Sequence, residues 1–226
     1  MHEEFVSSPR LDNLASSLCA LDAIIKHSKK DVKTARNHSE VDMIILFDHE
    51  EVGSQSAQGA DSNMANEILT RISECLGAKT SEDHFRTVRN SLLLSADMAH
   101  AVHPNFSGKH QSQHMPVFHQ GIVIKHNTNQ RYATDSVSAA VLKVIADRCG
   151  VPMQEFIVRQ DSLCGSTIGP IIASKAGLKT IDIGAPMLGM HSIRETCGVI
   201  DLHYYELLFS EFFTHYTELT ENLLAE

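Results

Sequence analysis

Apolar residues recur along this chain in two rhythms, and the switches between them predict its elements. Behind Asp12, a residue type that caps helix starts, Leu14, Leu18, Leu21 and Ile25 fall on one face at helical spacing. The run Val41 to Phe47 is short and mostly apolar and reads as a buried strand. Met64 to Leu76 brings Ile68, Ile72 and Leu76 into helical register, and a short helix is expected near Glu82 to Val88. Ser91 to Ala96, Val117 to Lys125, Glu155 to Arg159 and Leu178 to Ile183 read as strands. Thr134-Asp135-Ser136 caps a helix carrying Val137, Val141 and Ile145, which Cys149-Gly150 closes. A short helix over Ile171 to Ala176 and a long amphipathic one over Ile200 to Leu224 complete the pattern. Met1 to Pro9 reads as extended but has no cap or turn before Phe5-Val6, which raises the expectation of a further N-terminal portion. Strand and helix alternate, so the class is α/β with a mixed, largely parallel sheet, in a single domain over residues 1–226.

Charge narrows the partners. With 19 basic against 28 acidic residues the formal charge is -9, which argues against a surface that tracks nucleic-acid phosphates. No run approaches the roughly 20 apolar residues of a membrane span, and Met1-His2-Glu3-Glu4 is not the basic start of a signal peptide. A cytoplasmic location is therefore expected. Five scattered cysteines without a C-x-x-C pair fit reduced, buried thiols better than a disulfide framework or a thiolate zinc site. Fourteen histidines are many for this length, and most stand singly in polar stretches.

The candidate chemistry lies where predicted strands end. Asp48-His49-Glu50-Glu51-Val52-Gly53-Ser54 follows the run ending at Phe47, the side on which open α/β sheets bind ligands. One glutamate of the pair can ligate a metal while the other moves protons. Asp97 follows the strand Ser91 to Ala96, and His191 lies beyond the strand ending at Ile183. Asp12, Glu50, Glu51, Asp97 and His191 converging on one edge need positive charge between the carboxylates, which a pair of divalent cations would supply. Carboxylate oxygen with imidazole suits zinc, and also manganese or cobalt. Two such metals about 3.5 to 4 Å apart are suited to amide hydrolysis.

Four segments in series carry a resemblance to a known family. Ser7-Ser8-Pro9-Arg10-Leu11-Asp12-Asn13, Asp48 to Ser54, Ser95-Ala96-Asp97-Met98-Ala99-His100 and Gly184-Ala185-Pro186-Met187-Leu188-Gly189-Met190-His191-Ser192 resemble the aspartyl aminopeptidases. These are co-catalytic zinc exopeptidases that release N-terminal Asp or Glu from peptides. The resemblance spans essentially the whole chain and implies a three-layer αβα zinc-peptidase catalytic domain, present as its C-terminal part. It implies that Asp12 bridges two zinc ions, that Glu50 is the general base, that Glu51 and His191 complete one zinc site, and that Asp97 ligates the second. An acidic substrate residue needs a cation, for which Lys125 is the candidate, with Tyr132 as a hydrogen-bonding neighbour. His100 and His103 either line the substrate region or shape the turn before Pro104.

The sequence departs from that family in two ways. It contains no His-x-Asp, the motif whose histidine is the remaining ligand of the second zinc, and no inserted subunit-pairing domain. By count, one zinc keeps Asp12, Glu51 and His191 while the other keeps Asp12 and Asp97. The family forms homo-oligomers, which the absence of the pairing domain puts in question here. The alternative to an active peptidase is a zinc-binding homologue, catalytically impaired, that acts by assembling with intact subunits. A serine hydrolase built on Ser166 lacks the G-x-S-x-G elbow and leaves the carboxylates unexplained. An acylase or carboxypeptidase sharing the metal site stays open on sequence grounds.

Overall fold

The computed structural model describes residues 3–31 and 39–224. In chain order these form β1 (Phe5–Ser8), α1 (Leu11–Asp31), α2 (Met64–Cys75), α3 (Ser81–Asn90), β2 (Leu92–Ala96), β3 (Ala99–His100) and β4 (Ile122–His126). There follow α4 (Ser136–Cys149), β5 (Met153–Ile157), α5 (Gly169–Ala176), β6 (Lys179–Gly184), β7 (Pro186–Leu188), β8 (Glu195–Gly198) and α6 (Val199–Leu224). Helices flank two four-stranded mixed sheets, ordered β2-β6-β4-β5 and β1-β8-β7-β3. In the first, β2 runs parallel to β6 and β4 parallel to β5, and the two pairs meet antiparallel where Ile124 faces Ile183.

Side chains alternate across β4 and β6, and this divides the molecule into a core and a chemical face. Ile122 and Ile124 of β4 and Ile181 and Ile183 of β6 join one cluster with Leu142 and Ile145 of α4 and Tyr205, Leu208 and Phe209 of α6. Those four isoleucines are fully buried, each worth about 1.5–3 kcal/mol of transfer free energy. Val123, one residue out of phase, joins a smaller cluster with Ala99, Tyr132, Phe156 and Val158. Lys125 and Asp182 therefore leave the sheet on the face opposite the main core.

The structure revises several expectations. Val41 to Phe47 is not a strand: it joins neither sheet among the described residues, and Val41 and Leu46 are exposed. An apolar run without a neighbouring ladder to satisfy its amides gains nothing from a strand conformation. Helix α1 forms as expected, but Leu14, Leu18, Leu21 and Ile25 face outward, and Leu11, Ala15, Cys19 and Ala23 are the residues buried in the main cluster. The small side chains at four-residue spacing allow close approach to α6, which the leucines would prevent. Strand β1 does have a partner, pairing antiparallel with β8 from Phe5↔Gly198 to Ser8↔Glu195. Strand β4 begins only at Ile122, because the loop before it is held by one side chain. Gln154 accepts from the Val117 amide and donates to the carbonyls of Val117 and Gly121. The strands β3, β7 and β8 of the second sheet escape sequence reading altogether.

Candidate metal-dependent active site

Pairing of β1 with β8 brings the two ends of the site together. Beyond Ser8 the chain turns through Arg10 in the left-handed region (φ 61°) and delivers Asp12, whose backbone is extended (ψ 106°) although it opens α1. Asp12 therefore does not act as a conventional cap. Its carboxylate Oδ2 lies 3.1 Å from His191 Nε2, and Glu51 Oε2 lies 3.2 Å from the same nitrogen. His191 stands in the turn between β7 and β8 and is itself left-handed (φ 67°). One ligand atom from each of Asp12, Glu51 and His191 falls within 4.8 Å of the others, the one such group among the described residues.

The glutamate pair is presented by a tightly turned loop. Glu50–Val52 forms a single 3-10 turn between His49 (φ 63°) and Gly53 (φ 103°). Amides of Gly53 and Ser54 return to the carbonyls of Glu50 and His49 at 3.0 and 2.8 Å. Gly59 packs so closely on the Ser54 carbonyl that any Cβ there would overlap it, which fixes the far side of the loop. The backbone that presents the two carboxylates is thereby fixed.

Asp97 enters from the end of β2, and Gly184 passes its main chain so tightly that a side chain at 184 would collide with the Asp97 carbonyl. Asp97 Oδ1 accepts from the Met98 amide at 2.7 Å, and Oδ2 lies 3.5 Å from Lys125 Nζ. Lys125 is 2% exposed, donates to the Met98 carbonyl at 2.9 Å and lies 5.4 Å from the Tyr132 ring centroid. His103 shapes the turn, its Nδ1 accepting from the Asn105 amide at 3.1 Å. His100 sits in β3, open to solvent at the surface, and its carbonyl accepts from His110 Nε2 at 3.2 Å. Although part of it reaches solvent, packing around the imidazole desolvates it enough, with the nearby Lys125 charge, to hold His100 below its usual range. Ser166 donates to the carbonyls of Arg131 and Thr167, an arrangement that provides no general base. Sequence reasoning missed Glu195 and Asp182, both buried acids inside strands. Asp182 accepts from Ser95, Thr167 and the Ala133 amide, and so fixes the segment next to Tyr132.

Burial, then the hydrogen bond and charge of Asp97, push the Asp12 carboxyl up to about 9. Burial, with Asp97 and Glu51 nearby, raises Glu50 to about 7. Burial also works to raise Asp97, but Lys125, Asp12 and the Met98 amide outweigh it and hold that carboxyl below its usual value. Asp12 thus keeps a proton that it shares toward Asp97. Oxygen and imidazole donors converging on such a point fit zinc.

A stability measurement follows from these shifts. Asp12 and Glu50 have raised folded pKa values, so above about pH 4 the metal-free folded chain binds protons that the unfolded chain releases. The contribution of these two carboxyls to stability is fully present below that pH and is lost as pH rises through about 7 toward about 9. Zinc displaces those protons, so the gain in Tm at fixed zinc should be larger at pH 8 than at pH 5.5, by about 3 °C or more. Thermal denaturation with and without zinc reads this directly, and an equal gain at both pH values would contradict it.

Residues 1–213 match the family model described as aminopeptidase I zinc metalloprotease (M18). A probable aspartyl aminopeptidase of Ricinus communis is 48% identical over 224 residues, covering 99% of this chain and 45% of that protein. Aspartyl aminopeptidase 1 of Schizosaccharomyces pombe is 47% identical over 226 residues, covering 100% of this chain and 47% of its own. The chain thus spans about half the length of the curated relatives it matches. A chain in the cryo-electron microscopy structure of the Ape4 and Nbr1 complex superimposes with a TM-score of 0.92 at 47% identity, over 98% of this chain and 42% of that one. The mApe1 dodecamer of Saccharomyces cerevisiae gives 0.84 at 34% identity, over 97% and 48%. Fold, motif residues and family model agree, and the chain belongs to the M18 family of zinc metalloproteases.

Proposed function

We propose that this chain carries the catalytic centre of a zinc aminopeptidase that releases N-terminal Asp or Glu from peptides. The observation behind this reading is the convergence of Asp12, Glu51 and His191 beside Glu50, an acid that is not one of the three. Bound at that trio, zinc supplies Lewis acidity toward the scissile carbonyl and makes water a stronger acid. Glu50, outside the trio and raised to about 7 in the metal-free chain, would take a proton from the attacking water and return it to the leaving amine. Asp12 faces both His191 and Asp97, so Asp12 and Asp97 are the residues that would hold a second zinc. Lys125, anchored by Asp97, is the cation for an acidic first side chain, with Tyr132 and His100 as walls. Five free cysteines support a reducing, cytoplasmic setting, and no described helix is long and apolar enough to cross a membrane.

The test compares three amides on zinc-equilibrated protein: aspartyl, leucyl and N-acetyl-aspartyl. The aspartyl amide should turn over at least about tenfold faster than the leucyl one, and the N-acetyl compound should not react, since an aminopeptidase needs a free α-amine. Equal hydrolysis of the acetylated compound would sink the aminopeptidase reading in favour of an acylase. Zinc binding with no turnover at all would favour a second reading, a homologue that acts by assembling with longer subunits. That reading is supported by the outward leucines of α1.

A further inference from the structure

Glu195 lies in β8 opposite Ser8, yet its side chain is only 1% exposed. Among the described residues no Lys, Arg or His side chain pairs with it. Each of its oxygens instead accepts one backbone amide: Oε2 from Asp12 at 3.0 Å and Oε1 from His191 at 2.5 Å. These are the main-chain nitrogens of two of the three residues that converge at the site, brought from opposite ends of the chain. A carboxylate is a rigid fork, so two such bonds fix the separation of the two main-chain points. They also satisfy the amide of His191 in a left-handed conformation that non-glycine residues avoid (φ 67°).

We propose that Glu195 is the positioning residue of the metal site, a clamp that holds Asp12 and His191 at ligand spacing before any cation arrives. The inference rests on the reading of Asp12, Glu51 and His191 as metal ligands. It adds that the 3.1 Å approach of Asp12 to His191 is set by the fold through Glu195. Gln at 195 keeps size and one acceptor, but its NH2 then confronts an amide N–H, donor against donor. Asp at 195 keeps the charge but is one methylene too short to reach both amides. Asp201 offers a matched control, a buried carboxylate that accepts from the amides of His119 and Gly121 at 2.7 and 3.0 Å and from neither ligand residue.

Two measurements on the purified full chain decide the matter. Chelator competition should show Glu195→Gln weakening zinc by about 10- to 100-fold, Glu195→Asp falling between it and wild type, and Asp201→Asn within about twofold of wild type. Hydrogen exchange of the metal-free chain should speed up at Asp12 and His191 in Glu195→Gln and stay unchanged there in Asp201→Asn. Unchanged zinc affinity in both Glu195 variants, or an equal loss in Asp201→Asn, would overturn the clamp. If His191→Ala binds zinc like wild type, the ligand assignment fails instead, and exchange at the two amides still decides the clamp: faster supports it, unchanged refutes it. Should Glu195→Gln not fold, Glu195→Asp carries both readouts.

Discussion

Glu50→Gln is expected to keep zinc affinity within about threefold of wild type while cutting turnover of an aspartyl amide by about 10²- to 10⁴-fold. The asymmetry follows from placement. Glu51 approaches His191 to 3.2 Å, whereas Glu50, its neighbour in the same 3-10 turn, stands outside the trio that converges with it. Burial and the neighbouring Asp97 and Glu51 raise the Glu50 carboxyl to about 7, where it can both accept and return a proton. Glutamine matches its shape and can do neither. Competition for zinc and steady-state kinetics on one preparation separate the two roles. A variant that loses zinc together with activity would make Glu50 a ligand and leave the reaction without its base.

The other large effect is expected at Lys125. Its side chain is 3% exposed and its ammonium stands 3.5 Å from Asp97, so Lys125→Met leaves a carboxylate beside Asp12 with no counter-charge. Breaking a buried pair on one side costs about 3–5 kcal/mol, or about 10 °C in Tm for a chain of this size. Asp97 has a lowered pKa, so the stabilisation that Lys125 gives it is fully present above about pH 4 and disappears as pH falls below that. The gap between wild type and variant should therefore narrow in acid. Zinc at saturation should recover part of the loss, since a cation near Asp97 replaces the ammonium. Aspartyl and leucyl amides should become near equal as substrates. Thermal denaturation across pH checks the first part and paired substrate assays the second; a variant with unchanged Tm at pH 7 would remove Lys125 from its role as counter-ion.

What could be read in the sequence was chemistry placed at segment ends, and what could not was the smaller sheet. Asp97 after Ser91 to Ala96, and Lys125 near the end of β4, are where the apolar runs promised them. Glu50 and Glu51 reach the site although the run before them is not a strand, because the loop from His49 to Gly59 fixes itself through its own carbonyls. The period of α1 was visible, but its buried side was not: leucines announce a core more loudly than Ala15, Cys19 and Ala23, and close helix packing prefers the small residues. Strands β3, β7 and β8 have two, three and four residues, too short for an alternating pattern to register. Glu195 was hidden for the same reason, since one acid in a four-residue strand resembles any solvated edge until its two amide partners are seen.

The measurement that bears most directly on the site is a zinc titration of the metal-free chain, run in parallel on His191→Ala. Tight uptake of at least one zinc per chain that the substitution weakens about 100-fold or more is the expected result, as Asp12, Glu51 and His191 form one closed set of donors. Absence of tight zinc binding by the wild-type chain, or equal binding by His191→Ala, would mean that these three side chains do not hold the metal on which the proposed chemistry depends.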